Sequence, residues 1–303
     1  AYDLVISSEC GPAKGVITAP RTLHVCYCHS PMRYVWDMYW DYLKSVPKYL
    51  RPAARVMLHY VRRWDLASAF RVDHFLANSN YVARRVRKHY RRAAEVIHPP
   101  VDTEMFEIAE STDDFYLLVG GFVPYKREDL VLEAFGRLNR KLVVVGDGPT
   151  RAGLERLARK SSGSAIEWTG RVDEATLASL YRRCRALIYP QHEDFGLVAV
   201  EAQAAGRPVI AFGAGGVRDT VRPFHEEDIE AARYRATGLF FDAQTPEALC
   251  AAVERFEKIE QRFAPPALRA WAEQFSPARF DRALDREIDL ALEAVRPAEA
   301  GCE

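Results

Sequence analysis

Residues 189–221, YPQHEDFGLVAVEAQAAGRPVIAFGAGGVRDTV, decide the fold of this 303-residue chain. They read as strand end, loop, helix, strand, glycine turn and helix. A strand over 186–190 stops at Pro190, and the polar loop 191–194 follows. Phe195-Gly196 then opens a helix whose apolar positions Leu197, Val198, Val200 and Ala204 give it a buried face. Glu193 therefore lies in a loop above the carboxyl end of a strand, and Glu201 lies in the first turns of the next helix. Carboxylates accept hydrogen bonds from sugar hydroxyls, while helix N-termini and glycine turns hold anions. Two such carboxylates with Gly196 between them suit a polyol attached to a phosphate. A second turn, Gly213-Ala214-Gly215-Gly216, follows a strand over 208–212 and opens another helix. Both turns fall at one edge of an inferred parallel sheet, where open α/β sheets bind ligands.

Working outward, strands of four to six residues alternate with helices of ten or more across the second half of the chain. The strands are read at 116–119, 141–145 and 165–169, and the helices at 127–138, 150–160 and 173–184. This alternation predicts a doubly wound parallel sheet. Helices at 245–259 and 265–274 follow, and Ser276-Pro277 begins a last helix to about residue 294. The first half has strands at 2–7, 22–28, 75–79 and 96–98, an aromatic and basic helical region over 31–70, and a helix over 80–92 capped by Ser79. Pro99-Pro100 reads as a hinge between domains. The expected division is 1–111, 112–275 and a final helical segment 276–303. The opening strand and glycine turn of the first domain are not seen, so that domain is expected to lack its N-terminal part.

Composition bounds the rest. Hydrophobic residues at 49% and charged residues at 28% are those of a globular protein with a core in each domain. No run of apolar residues is long enough to span a bilayer and no export signal opens the chain, which makes the cytoplasm the default location. Cys10, Cys26, Cys28, Cys184, Cys250 and Cys302 show no zinc-type spacing, and Cys26 and Cys28 read as buried free thiols. No metal is expected. Net charge is zero, but residues 44–92 hold 13 Lys+Arg against 2 Asp+Glu, so the first half has a strongly positive surface. The basic helix 80–92 and the aromatics at 34–42 allow a solvated face, core packing or contact with an anionic membrane surface.

The pattern Glu193-x7-Glu201 followed by Gly215-Gly216 resembles the signature of glycosyltransferase family 4, whose members have the GT-B architecture of two Rossmann-like domains facing across a cleft. The segment GGFVPYKREDLVLEAF at 120–135 resembles that family's phosphate-binding segment. The resemblance implies that Lys126 neutralises the donor diphosphate, that Glu193 holds sugar hydroxyls and that Glu201 holds the ribose hydroxyls. It also places Gly146, Gly148 and Arg171 around the base, gives Phe195, Gly196, Leu197, Gly215 and Gly216 to the donor site, and brings His29 to the transferred sugar from the first domain. Many members carry an arginine where this chain has Gly121, so Arg127, another cation or backbone N–H groups would take that role. Asp219 stands where members often have glutamate.

What the resemblance implies is a retaining hexosyltransferase without a metal cofactor. HSPMRYVWDMY with FVPYKR is similar to bacterial mannosyltransferases of polysaccharide synthesis, which makes GDP-mannose the favoured donor. A glycan or polyprenyl-diphosphate-linked saccharide is the expected acceptor, at the inner face of the membrane. A UDP-sugar donor, an impaired sugar-nucleotide binder and a nucleic-acid-binding protein are the alternatives. The last has only residues 44–92 in its favour, and nucleic acid is not an expected partner.

Overall fold

The computed structural model describes residues 2–160, 166–225 and 235–295; Ala165 and Cys302, named above, lie outside them. Its contacts divide the chain into a first unit, the residues through Pro99 together with those from Phe280 onward, and a second unit, Pro100–Arg279. The division falls within the Pro99-Pro100 pair. Residues 100–111 go with the later unit because Val101 and Phe106 are buried in its core and the Val101 N–H bonds the Phe275 carbonyl at 2.8 Å.

In the first unit β1 (Leu4–Glu9), β2 (Leu23–Cys28), β3 (His74–Ala77) and β4 (Glu95–Val96) form a parallel sheet in that order. β4 stops short of the expected residue 98, since the prolines at 99 and 100 have no N–H to continue a ladder. The helices are α1 (Tyr39–Ser45), α2 (Arg51–Ala69) and α3 (Asn80–Tyr90), the last capped as expected by the Ser79 hydroxyl, which accepts from the Val82 N–H.

The second unit runs β5 (Tyr116–Val119), α4 (Glu128–Leu138), β6 (Leu142–Val145), α5 (Arg151–Lys160), β7 (Ile166–Gly170), α6 (Glu174–Arg183) and β8 (Leu187–Tyr189). It continues with α7 (Leu197–Ala204), β9 (Val209–Phe212), α8 (Val217–Thr220), β10 (Gly238–Phe241), α9 (Pro246–Ile259) and α10 (Pro265–Ala272). The last helix, α11 (Pro277–Val295), belongs to the first unit from Phe280 on. β10 was not among the strands read from the sequence. The expected helix after Gly216 is a single turn. No described helix is long and apolar enough to cross a membrane.

The central strands are buried on both faces and mostly apolar, so the alternation shows in what each residue touches, while the edge strands β1, β4 and β7 carry polar residues such as Ser8, Glu95 and Glu167. In the second unit Tyr116, Leu118, Leu142 and Val144 pack with α4 and α9, while Leu117, Val143, Val145 and Tyr189 pack with α6, α7 and α10. In the first, Cys26 and Cys28 face α3 as buried free thiols, and Leu23, Val25 and Tyr27 face α11. Fully burying a side chain such as Phe135 or Phe256 contributes roughly 1.5–3 kcal/mol.

The strand order of the second sheet is β10-β9-β8-β5-β6-β7, all pairs parallel. The order reverses between β5 and β8, which pair at Leu117 and Leu187. A crevice above the carboxyl ends of strands opens at such a reversal, because the loops leaving the two central strands turn to opposite sides.

Candidate functional site

The loops leaving β5 and β8 carry Lys126 and Glu193, and the fold brings them together. Lys126 Nζ lies 3.1 Å from Glu193 Oε1, and the Tyr189 hydroxyl donates to Glu193 Oε2 at 3.0 Å. Tyr189 ends β8 and is fully buried; burial holds its phenol well above the ordinary value, so it stays a proton donor. Glu193 is thereby fixed from both sides.

Glycines position these loops by close backbone approach. Gly196, at φ 100°, starts α7 with its Cα so near Tyr189 that a Cβ would lie 2.7 Å from the phenol oxygen. Gly215, at φ 85°, has no room for a Cβ, which would lie 2.4 Å from the Glu193 carbonyl. The Gly216 N–H donates to that same carbonyl at 2.8 Å. The glycine turn is thus clamped onto the Glu193 loop. Gly146 and Gly148 serve a similar end, since a Cβ on either would strike the backbone of Gly120 or Phe122.

Glu201 lies one turn into α7. Its Oε2 accepts from the Tyr181 hydroxyl at 2.7 Å, and burial raises its carboxyl above the ordinary value while that hydrogen bond opposes the shift. A cavity of about 250 Å³ opens beside it, walled by Val101, Met105, Phe106, Leu177 and Leu197, with Glu174 and Asp102 also at its lining. Apolar walls with carboxylates suit a ring that carries hydroxyls.

Two family models match this chain in tandem. "Glycosyltransferase Family 4" covers residues 1–105 and "Glycosyl transferases group 1" covers residues 101–274, more than half the chain. The chain belongs to glycosyltransferase family 4. Among its relatives, an uncharacterised glycosyltransferase of Methanocaldococcus jannaschii is 33% identical over 49% of this chain and 42% of its own length. The O-antigen chain mannosyltransferase C of Escherichia coli is 27% identical over 72% of this chain and 60% of its own, and a D-inositol 3-phosphate glycosyltransferase of Streptomyces bingchenggensis is 34% identical over 57% and 44%. The chain thus spans about half the length of the curated relatives it matches. The fold is GT-B: a sucrose-phosphate synthase from Thermosynechococcus elongatus superposes with a TM-score of 0.74 at 20% identity, covering 97% of this chain and 74% of that one. Anabaena HepE in complex with UDP gives 0.70 at 15%, covering 89% and 73%.

Other residues singled out in this family 4 chain are placed differently. The Arg127 side chain bonds Asp129 in the next helix (Nε to Oδ1, 3.1 Å). The Phe195 ring is buried against Phe275, ring centroids 5.7 Å apart, and packs beneath the loop. Leu197 is exposed and lines the cavity. Arg171 is exposed at the end of the edge strand β7, and Asp219 lies in the single turn α8. His29 ends β2 in the first unit; its Nε2 lies 2.9 Å from the Ser8 hydroxyl, and its carbonyl accepts from Asn78 Nδ2 at 3.0 Å. Among the described residues no three His, Cys, Asp or Glu side chains converge as a metal set. Tyr181 and Tyr189, which hold the two glutamates, were missed because in sequence they are only apolar members of a helix and a strand.

Glu128 was also missed. It opens α4, is 4% exposed, and burial pushes its carboxyl from 4.5 up to about 7; Asp129 and Glu193 push the same way and Lys126 opposes. A carboxyl whose folded pKa exceeds its unfolded one takes up a proton on folding. Its contribution is full below about pH 4.5 and is lost as pH rises through about 7. Glu128→Gln should therefore raise stability at pH 8 by about 2–3 kcal/mol and leave it nearly unchanged at pH 4.5. Thermal unfolding of both proteins at the two pH values checks this, and an equal shift at both would refute the burial argument.

Proposed function

We propose that the chain is a retaining hexosyltransferase that takes mannose from GDP-mannose and passes it to a glycan or polyprenyl-diphosphate-linked saccharide at the cytoplasmic face of a membrane. The observation that carries the reading is the meeting of Lys126 with Glu193 at the strand-order reversal, beside a helix N-terminus and a cavity with Glu201. Lys126 and the first N–H groups of α7 meet the charge that develops on the departing diphosphate. Because α8 is only one turn, the glycine turn contributes through backbone N–H groups and shape rather than a helix dipole. Glu193 accepts from sugar hydroxyls and Glu201 from the ribose, with the nucleoside against Leu177 and Leu197. The acceptor hydroxyl attacks from the face the diphosphate leaves, which preserves the anomeric configuration. His29 keeps its assigned contact with the sugar as part of this proposal, and no metal is required in it.

Mannose is favoured by the likeness to the O-antigen chain mannosyltransferase, and a UDP-sugar is the second reading. Calorimetric titration with GDP, UDP, GDP-mannose and UDP-glucose, with and without Mg²⁺, tests both. Selective binding of GDP and GDP-mannose without Mg²⁺ is expected, and so is its loss in Glu201→Ala. UDP preference would overturn the donor, Mg²⁺-dependent binding the metal-free mechanism, and binding of neither the site.

A further inference from the structure

We propose that the solvent face of α2 is a docking surface for an anionic lipid bilayer. α2 is apolar on two sides. Inward, Leu58 packs with Met32 and Val35, and Ala69 packs with Phe75. Outward, Val56, Met57 and Tyr60 recur at the spacing that aligns side chains on one helix face, and Trp64 continues the line with its ring laid partly over Gly15. They are 58%, 60%, 66% and 39% exposed, and Tyr49, just before the helix, is 80% exposed. A helix that buries one stripe normally turns a polar face to water, so a second stripe needs a second apolar phase.

The charges name that phase. Arg55 and Arg63, both exposed and two turns apart, run along one edge of the stripe. The only acids in residues 44–92 are engaged inside the unit. Asp65 is buried and accepts from Lys14, Trp36 and Tyr90, and Asp73 accepts from the His24 N–H. No ion pair to Arg55 or Arg63 is seen among the described residues, and the exposed Asp41 of the neighbouring α1 pairs with Lys44. Apolar side chains, amphipathic Tyr and Trp rings, and guanidinium groups match in turn the acyl boundary, the headgroup layer and lipid phosphates. A second copy docked by the same face would set Arg55 and Arg63 against their own kind. α3, the more basic helix, also turns Arg84, Arg87 and Lys88 outward, but its Val82, Val86 and Tyr90 are buried and it exposes no large apolar side chain, and Arg85 is buried, donating to the Ser30 hydroxyl at 2.7 Å. The aromatics at 34–42 divide likewise: Tyr34, Trp36 and Tyr39 pack inward, and Trp40 and Tyr42 are exposed.

The test is co-sedimentation of the whole chain with vesicles of phosphatidylcholine alone or with about one-third phosphatidylglycerol. Binding to the anionic vesicles, weakened by salt and accompanied by a blue shift of tryptophan emission, is expected. Both Met57→Glu with Tyr60→Glu and Arg55→Gln with Arg63→Gln should reduce it at least about tenfold. The second pair keeps the test open should the first impair folding, which circular dichroism monitors. No binding, equal binding to neutral vesicles, or binding unaffected by the arginine pair would overturn the proposal. So would concentration-dependent dimerisation abolished by the variants. GDP binding measured on the same samples separates this outcome from a failure of the donor reading.

Discussion

Replacing Lys126 by Ala is expected to lower the proposed sugar transfer by about 10²- to 10³-fold, with most of the loss in kcat. The reason is geometric. Lys126 stands at the strand-order reversal, where the proposed function puts the departing diphosphate, 3.1 Å from Glu193, while Arg127 bonds Asp129. Removing the lysine takes away the charge that meets the developing diphosphate and leaves the Glu193 carboxylate facing that anion. Glu193→Ala should cost a similar factor, because Lys126 loses its orientation and the sugar loses an acceptor. Tyr189→Phe removes only one hydrogen bond to Glu193 and should cost about tenfold, the worth of a hydrogen bond to a charged group. Initial rates over a range of donor concentration separate the cases. A raised KM with unchanged kcat in Lys126→Ala would confine the lysine to ground-state binding, and near-parental turnover in Lys126→Ala and Glu193→Ala would sink the assignment.

Gly215→Ala should destabilise the protein by about 3 kcal/mol or more and abolish donor binding with it. An alanine must adopt φ 85° at this position and push its Cβ into the Glu193 carbonyl, 2.4 Å away. The neighbouring atoms are backbone, so they yield only if the Glu193 loop lifts off the glycine turn. That movement would break the Gly216 N–H bond to the same carbonyl and carry Glu193 away from Lys126. Gly153→Ala is the control: in α5 a Cβ there meets nothing within 4 Å, and the change should be neutral or stabilise by about 0.5–1 kcal/mol. Urea unfolding of the two variants reads both effects. Parental stability in Gly215→Ala would show that the turn adapts, and that its glycine is not held by close approach.

Most of the architecture could be read without coordinates. Alternating apolar strands and amphipathic helices, punctuated by Gly and Pro, specify a parallel sheet because each element must bury its apolar surface in the only layered arrangement its neighbours permit. Local signals worked where local physics decides, as at Ser79, whose hydroxyl caps α3, and at the Pro99-Pro100 break. Local signals fell short where length was marginal, as at the single turn α8.

The sequence by itself determined the fold class, the family, and the two segments that carry Lys126 and Glu193. It could do so because motif and periodicity are properties of neighbours along the chain. Only the tertiary structure decided that these two side chains touch, that Tyr189 and Tyr181 hold the two glutamates, that Arg127 bonds Asp129 and Phe195 packs against Phe275, and that α2 rather than α3 presents the apolar, basic face. Each of these depends on which residues share a face once sheets and helices have packed. That pairing is set by burial and close approach between segments far apart in sequence.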